Sequence, residues 1–239
     1  MQDIADNPSN SIRKIAAQNI VTKWVVHETL KEQIFHPYHV QKVHAMSPDD
    51  YPARLQYSKW FMQQHNVNLN FSNLILFTDE AGFTRDGIIN SHNLHFWNDE
   101  NPHAIIQNKH QQRFMVNVWA GIIESNHIGR FVLEERLNGQ IYLQFLQQNL
   151  NNLLDDVPID RRMQMWYMHD GAPPHFNRIV RQHLTNVFGP RWIGRGGPVL
   201  WSPRSPDQNP LDFYFWEHLK KVVYSTPVNT REELLARIT

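Results

Sequence analysis

The chain contains no cysteine, and this absence excludes several kinds of site at once. Disulfide scaffolds, zinc sites built on thiolates and thiol nucleophiles all require that residue. Catalysis by this chain must therefore use oxygen and nitrogen groups. The pattern G-x-x-x-x-G-K-[ST] is also missing, which argues against an ATPase.

Long apolar runs and a net charge are absent as well. No run of about 18 apolar residues occurs, and the start MQDIADNPSN lacks the basic and then apolar profile of a signal peptide. These features predict a soluble, intracellular protein. Because 23 Lys and Arg balance 23 Asp and Glu, the overall charge gives no argument for a polyanionic partner. Segment 175–221 has seven Lys and Arg against three Asp and Glu. A basic surface of this kind could contact the phosphates of a polyanion, although such an excess of positive charge more often belongs to ordinary protein surface.

The first 50 residues favour short helices. Apolar residues share one stripe in each of two stretches, Ser11–Asn19 with Ile12, Ile15 and Ala16, and Thr22–Leu30 with Val25, Val26 and Leu30. Two short helices joined by a tight turn predict a helix-turn-helix whose second helix lies in a DNA major groove; a plain helical hairpin is the alternative. Its outward-facing candidates for DNA binding are Lys23, His27 and Lys31.

The 239 residues, 41% of them hydrophobic, are enough for one main domain and a small satellite. We predict a partial helix-turn-helix segment at 1–48, a linker at 49–69 that is helical from Tyr51 to Gln64, and a catalytic domain at 70–239.

The pattern changes to strand runs near residue 70. Predicted strands are Leu74–Thr78, Phe114–Ile123, Arg130–Leu133 and Met163–Met168, and predicted helices are Tyr142–Leu154, Phe176–Asn186 and Leu211–Tyr224. This order indicates an α/β domain with a sheet of mixed direction covered by helices.

Two carboxylates are expected just past the ends of apolar strands, Asp79 after Leu74–Thr78 and Asp170 after Met163–Met168. The ends of strands are where α/β sheets place their chemistry. Two like charges brought to one point repel unless a cation joins them, and a pair of Mg²⁺ ions about 3.5–4 Å apart suits in-line displacement at a phosphodiester. Taken singly, an Asp after a strand is more often a turn former or a helix cap. Glu80 should point to the other face of its strand and is interpreted as structural.

A third acid lies in the proline-stiffened segment 202–213, SPRSPDQNPLDF. Pro210 suits the first turn of a helix, so Asp212 should be held rigidly near that helix start. Asp207 competes with it, and we interpret Asp207 as a turn or capping residue. His169 and His175 flank Asp170 and have two readings, a role beside DNA or the second acid, or simple core and turn positions.

Three motifs together resemble the catalytic signature of the mariner superfamily of DNA transposases. They are Asp79 in TDE, Asp170 in HDGAPPH and Asp212 in SPRSPDQNPLDFYFW. Asn7–Ala16 also resembles the start of a second helix-turn-helix unit, and His36–Arg54 resembles the linker that follows it.

The resemblance implies a ribonuclease-H-like fold in which Asp79, Asp170 and Asp212 are the catalytic, metal-binding triad and Asp207 lies outside it. It also implies two Mg²⁺ ions, with Mn²⁺ as a substitute, which would serve DNA cleavage and strand transfer on double-stranded DNA, namely terminal inverted repeats and a target. A homodimer is expected from the resemblance alone, and a nuclear location follows from the substrate.

The chain also departs from the family pattern. The 212 − 170 − 1 = 41 residues between the second and third acids exceed the commonest spacing, and Gly194–Gly197 is a candidate for the excess. The resemblance begins after the family's usual first helix-turn-helix unit, which predicts a chain truncated at its N-terminus. Two alternatives remain: a non-catalytic DNA-binding protein derived from a transposase, and a ribonuclease-H-like nuclease unconnected with transposition.

Overall fold

The computed structural model describes residues 11–33, 35, 46–85, 114–133 and 136–239. The chain forms two compact units, residues 1–44 and 45–239. The predictions for residues 1–10 and for the linker-like stretch 36–45 lie outside the described residues.

The first unit contains the two predicted helices, α1 (Ile12–Gln18) and α2 (Lys23–Glu32). Each begins at a hydroxyl cap: the Ser11 hydroxyl accepts a hydrogen bond from the Lys14 amide at 3.2 Å, and Thr22 caps α2 in the same way. The turn between them has no glycine, and Ile20 takes the left-handed conformation there with φ 55°, which is costly for a β-branched residue.

The apolar stripes of this unit are narrower than predicted. Ile15, Ala16 and Val26 are buried, with Ile12 and Leu30 packed beside them. Val25 is 41% exposed, which corrects its expected place in the stripe. Two short helices can bury only one line of residues between them, and Val25 lies one position off that line.

The second unit is built on a sheet of mixed direction, as predicted, and it has six strands where the sequence predicted four. Its strands, in the spatial order β3-β2-β1-β4-β5-β6, are β1 (Ile75–Thr84), β2 (Met115–Ile123), β3 (Asn126–Leu133), β4 (Trp166–Met168), β5 (Trp192–Gly194) and β6 (Val199–Leu200). The strands β1, β2 and β3 pair antiparallel, and β4, β5 and β6 continue the sheet parallel to β1.

Helices cover both faces of this sheet. They are α4 (Gly139–Gln148), α5 (Leu150–Leu153), α6 (Ile159–Gln164), α7 (Arg178–Phe188), α8 (Trp216–Val223) and α9 (Arg231–Ile238). One core joins α4 and α7 to the face that carries Leu76 and Trp119. The other joins α8 and α9 to the face that carries Ala81 and Phe83. No described helix is long and apolar enough to cross a membrane.

Helix α3 (Asp50–Val67) occupies most of the stretch predicted as a linker. Its aromatic side packs on the sheet, where Tyr57 lies 5.2 Å from Trp201 and Trp60 lies 5.5 Å from Trp166, measured between ring centroids. These residues belong to a core cluster of the second unit. The stretch 49–69 is therefore largely a packed helix.

Three predicted strand boundaries are wrong. Strand β3 begins at Asn126 and not at Arg130. Strand β1 does not end at Thr78: it continues to Thr84 because residues 77–84 pair with β2, so Asp79 lies within a strand and not past its end. Met163 lies in α6 and not in a strand, and it is 70% exposed. The apolar run that includes it therefore does not mark one buried element.

The remaining helices differ from their predicted bounds at the ends. The helix predicted from Tyr142 to Leu154 is interrupted at Asn149. The helix predicted from Phe176 begins after Asn177, whose side-chain oxygen accepts a hydrogen bond from the Ile179 amide. The last starts as a wide π-type turn, Leu211–Phe215, which runs directly into α8.

Candidate active site

Asp79 lies on β1 two residues beyond the last parallel pair between β1 and β4, which joins Phe77 to Met168. Its carboxylate Oδ2 accepts a hydrogen bond from Trp216 Nε1 at 2.7 Å. Burial and then the negative charge of Asp212, Glu80 and, least, Asp170 raise the pKa of Asp79 to about 8 against the opposing effect of the Trp216 bond. Asp79 therefore lies among acidic neighbours that oppose its ionisation.

Asp170 follows β4 by two residues, as predicted. Its Oδ1 accepts a hydrogen bond from the Ala172 amide at 2.9 Å and lies 2.6 Å from His175 Nδ1. Burial favours the protonated form, but the hydrogen bond and charge of His175 and the Ala172 amide outweigh it and lower the pKa of Asp170. Asp170 is thus held ionised, and both contacts use Oδ1, which leaves Oδ2 for another ligand.

Asp212 lies in the π-type turn that begins α8, and Asn209 fixes that turn. The Asn209 side chain accepts a hydrogen bond from the Leu211 amide at 3.2 Å and donates one to the Thr78 carbonyl at 3.4 Å. The Asp212 amide donates to the Asn209 carbonyl at 3.0 Å. These bonds tie the turn to β1 beside Asp79, where the charge of Asp212 acts on the pKa of Asp79.

The fold thus brings the three predicted acids into one neighbourhood. Asp79 interacts electrostatically with both Asp170 and Asp212. Among the described residues, however, no group of three His, Asp or Glu side chains already has the close spacing of a metal site. The carboxylates are near enough to repel one another without converging on one point.

The donor chemistry fits a hard divalent cation. Carboxylate oxygens are the ligands that Mg²⁺ prefers, and a nearby cation would reverse the repulsion that raises the pKa of Asp79. Trp216 occupies one oxygen of Asp79 and His175 one oxygen of Asp170, so the remaining oxygens of these carboxylates would supply the donors to a cation. Asp212 is exposed and adds a third carboxylate.

Glu80 points to the opposite face of β1, as predicted, and its partner was not foreseen. Its Oε2 lies 3.0 Å from His175 Nε2, so His175 bridges Glu80 and Asp170. Burial lowers the pKa of His175, but the two carboxylates outweigh this and raise it to about 10. The sequence allowed two interpretations of this histidine. In the structure it is a buried cation that holds Asp170.

His169 lies behind His175, and their rings stack with centroids 4.6 Å apart. Burial and then the charge of His175 lower the pKa of His169, so it is neutral. Its Nδ1 lies 3.4 Å from the Tyr142 hydroxyl. Gly194 is required here, because a Cβ at that position would come within 2.4 Å of His169 Nε2. His169 is thus a core residue that supports His175 from behind.

Asp207 is not simply a turn residue, because it forms an ion pair with Arg54 of α3. Arg54 Nη2 lies 2.6 Å from Asp207 Oδ2, and Nη1 lies 3.1 Å from Oδ1, a paired arrangement typical of Arg and carboxylate. Arg54 also bonds to Ser205 at 2.5 Å. The segment that carries Asn209 and Asp212 is therefore anchored to α3. The role of Arg54 could not be predicted from the sequence, since no local pattern indicates a contact between residues about 150 positions apart.

The candidates for DNA binding in the first unit, Lys23, His27 and Lys31, are all exposed on α2, as predicted. They follow one another at intervals of four and so share one face of the helix. His27 Nδ1 lies 3.3 Å from the neighbouring Glu28 carboxylate. Their role in DNA binding remains a prediction.

Comparison with solved structures identifies the architecture. The chain is similar to the Mos1 mariner paired-end complex with Mn (TM-score 0.73, 18% identity, 98% of this chain and 67% of that one). It is also similar to the Mos1 strand transfer complex (TM-score 0.68, 20% identity, 98% and 66%). The catalytic domain of Mos1 mariner transposase matches with a TM-score of 0.59 at 18% identity, over 82% of each chain. The chain has a ribonuclease-H-like fold.

At these identities the likeness concerns the fold. The chain spans about two thirds of the length of the Mos1 chains in those complexes. No protein-family model matches the sequence, and no curated protein does. The expected ribonuclease-H-like fold is therefore confirmed.

Proposed function

We propose that the chain is a DNA transposase of the mariner type, which cleaves DNA and transfers the strand in a reaction that depends on divalent metal. The observation that carries the proposal is the proximity of Asp79 to both Asp170 and Asp212, three acids that come from separate segments of this fold. A protein that only binds DNA gains nothing from carboxylates that repel one another in one neighbourhood. The Mos1 complexes with the same fold, including one with Mn and one of strand transfer, support this reading.

In this proposal Asp79, Asp170 and Asp212 hold two Mg²⁺ ions, with Mn²⁺ as a substitute. When bound, such ions activate an attacking water or hydroxyl and stabilise the oxygen that leaves phosphorus. In cleavage, the water oxygen forms a bond to phosphorus and the bond from phosphorus to the leaving oxygen breaks. In strand transfer, the freed 3′-hydroxyl oxygen loses its proton and forms a bond to the target phosphorus. The bond from that phosphorus to the 3′-oxygen of the target strand breaks, and that oxygen takes up a proton.

The chain's own residues position these groups. Trp216 fixes Asp79 through Nε1, and His175 with the Ala172 amide fixes Asp170 through Oδ1. Asn209 holds the turn of Asp212 to β1. No covalent protein intermediate is required, in accord with the absence of a recognisable nucleophile motif from the sequence.

The partners follow from this function. We propose that double-stranded DNA is the substrate, with terminal inverted repeats and target DNA as its two forms, that Lys23, His27 and Lys31 contact it, that a homodimer pairs two ends, and that the protein acts in the nucleus.

The test is Mg²⁺- or Mn²⁺-dependent nicking and strand transfer on linear DNA, with the chain compared with Asp170→Asn. This substitution keeps the shape of the side chain and removes a metal-binding charge. Asp156→Asn is the matched control, because Asp156 is exposed and the substitution removes the same charge. We expect metal-dependent activity in the chain and the control, and its loss in Asp170→Asn.

Equal background in all three proteins, with folding and DNA binding retained, would support a non-catalytic DNA-binding protein derived from a transposase. Cleavage of RNA–DNA hybrids without strand transfer would support an unrelated ribonuclease-H-like nuclease.

A further inference from the structure

The segment between the second acid and Asp207 carries an unusual charge distribution. Residues 171–206 include five Arg and no Asp or Glu. Two of these Arg differ from the rest: Arg204 pairs with Asp50, and the Nε of Arg191 is buried without a hydrogen-bond partner. Arg178, Arg181 and Arg195 have no ion-pair partner among the described residues. Three uncompensated cations therefore follow Asp170 along the chain.

Two of these cations contact the same aromatic ring. The guanidinium carbons of Arg181 and Arg195 lie 4.6 and 4.3 Å from the centroid of the Phe176 ring, at cation–π distance. Arg181 Nε also donates to the Phe176 carbonyl at 3.2 Å. Phe176 itself is 38% exposed. We call these three residues the Phe176 clamp. Its guanidinium groups are held in place before any ligand arrives, so less rotamer entropy is lost on binding.

The loop that carries Arg195 is shaped to fit this clamp. Gly196 takes φ +73°, and a Cβ there would lie 3.0 Å from the Phe176 ring and 3.2 Å from Arg181 Nη1. Only glycine combines that backbone conformation with so close an approach. This loop lies in the stretch to which we attributed the long spacing between the second and third acids.

The Phe176 clamp also lies beside the candidate active site. Gly171 directly follows Asp170, and a Cβ built on it would lie 3.6 Å from Arg195 Cβ and 3.7 Å from Arg195 Cδ. The stem of Arg195 therefore runs past the residue next to a candidate metal ligand. A phosphate held by the clamp would be close to a phosphate reacting at Asp170.

An open cavity of about 320 Å³ continues from the clamp along α7. Its lining consists of Arg178, Arg181, Gln182, Thr185, Asn186, Trp192 and Gly196. This wall offers cationic, amide and hydroxyl groups, and no carboxylate lines it. Its cationic, amide and hydroxyl groups can contact the phosphates and sugar oxygens of a nucleic acid backbone.

We propose that the Phe176 clamp binds the backbone phosphates of the DNA strand that enters the candidate active site at Asp170, and that the cavity along α7 carries the continuation of that strand. The proposal rests on the proposed function, because it takes DNA as the ligand. It assigns Arg181 and Arg195 as phosphate contacts and Phe176 as the positioning residue that holds them.

The first experiment measures binding to a fluorescein-labelled DNA duplex in EDTA over a range of salt concentrations. Arg181→Gln combined with Arg195→Gln should lower the salt slope of log K by about 2 and the affinity at low salt by at least about tenfold. Arg161→Gln with Arg162→Gln is the matched control, because it removes the same charge from α6, before β4, whereas Asp170 follows β4. A slope equal to that of the control pair would overturn the proposal.

The second experiment tests the ring itself. Phe176→Leu removes the π face and keeps both arginines, whereas Phe176→Tyr keeps the face. We expect a several-fold loss of affinity in Phe176→Leu, with unchanged melting temperature, and wild-type binding in Phe176→Tyr. Equal binding by the two variants would show that the stacking has no role in DNA contact.

These measurements separate this proposal from the proposed function, because they use no metal and require no cleavage. A reduced salt slope with no cleavage activity would keep the Phe176 clamp and reject the transposase. Cleavage that depends on Asp170, with a salt slope unaffected by the clamp, would reject the clamp alone.

Discussion

Asp79 and Glu80 are neighbours on one strand, yet they lie in opposite electrostatic surroundings. Glu80 faces His175, which is protonated and bridges to Asp170. Asp79 faces the other side of the sheet, where Trp216 supplies a hydrogen bond and the nearby charges are acidic. Among the described residues, a cation lies against Glu80, whereas no cation is among the groups that act on the pKa of Asp79.

The difference separates a completed ion pair from a site that needs a ligand. A buried charge with its counter-ion in place contributes to a defined structure, whereas a partly buried charge among like charges costs free energy until a cation arrives. This contrast places Glu80 and His175 in the framework and supports the proposal that Asp79 binds metal. Three experiments on this pair of faces would break or sharpen that assignment.

The largest expected effect comes from Asp79→Asn. Nicking activity should fall on the order of 10³-fold, because the amide cannot replace a charged metal ligand. The melting temperature in EDTA at neutral pH should rise, since folding of the variant no longer has to protonate a carboxyl that is ionised in the unfolded chain; the gain is about 1 kcal/mol. Activity assays and thermal melts with Asp156→Asn as the control measure both effects. A fall in metal-free stability alongside activity would contradict the assignment.

On the opposite face we expect a loss of stability from His175→Gln. Removing the buried cation leaves Glu80 and Asp170 uncompensated, at a cost of about 3 kcal/mol in the free energy of unfolding. Adding Glu80→Gln should recover part of that loss, because it removes one of the two carboxylates left without a counter-ion. Urea denaturation of the single and double variants measures the coupling, with His183→Gln as the control. If the double variant is no more stable than His175→Gln, the ion pair is not the cause.

The smallest expected effect is a pH dependence of the free energy of unfolding, which has a different cause on each face of the sheet. The pKa of Asp79 is raised from 3.8 to about 8, so the unfolded chain loses this proton first and metal-free stability falls as pH rises through that window. The pKa of His175 is raised from 6.5 to about 10, so its contribution is complete below 6.5 and is lost as pH rises through 10. Both make the metal-free protein less stable at alkaline pH.

Divalent metal should reverse the part of this pH dependence that comes from Asp79, because a bound cation favours the ionised carboxylate. The stabilisation by Mn²⁺ should therefore grow between about pH 6 and 8, with a slope that approaches about 1.4 kcal/mol per pH unit. Thermal melts with and without Mn²⁺ measure it. In Asp79→Asn the slope should disappear, and its persistence there would place the titrating group elsewhere.

Much of the fold could be predicted from local pattern. The helices α1 and α2 can be predicted from their caps, Ser11 and Thr22, and strand β2 from its long run of alternating apolar residues. The end of β1 could not be predicted, because residues 79–84 are extended only by pairing with β2. Helix α3 was recognised as a helix, but its packing on the sheet depends on partners such as Trp201 that are distant in sequence.

The candidate site shows the same division. The sequence motifs pointed to Asp79, Asp170 and Asp212, and the structure places them in one neighbourhood. The reason given for Asp79, a position past a strand end, was wrong, although the parallel pairing with β4 does end just before it. Glu80 with His175, and Arg54 with Asp207, are contacts between residues far apart in the chain, and no local pattern encodes them.

The unequal lengths of β1 and β4 have a mechanical consequence. Strand β4 has three residues and β1 has ten, so the sheet forks after Met168, with the Thr78 hydroxyl donating to the Met168 carbonyl at 2.7 Å at the branching point. Asp79 and Asp170 leave from the two arms of this fork, and each arm is fixed by its own backbone hydrogen bonds. The separation of the two backbones is set by the sheet, so a cation that enters between the arms would meet carboxylates that the strands already hold in one neighbourhood.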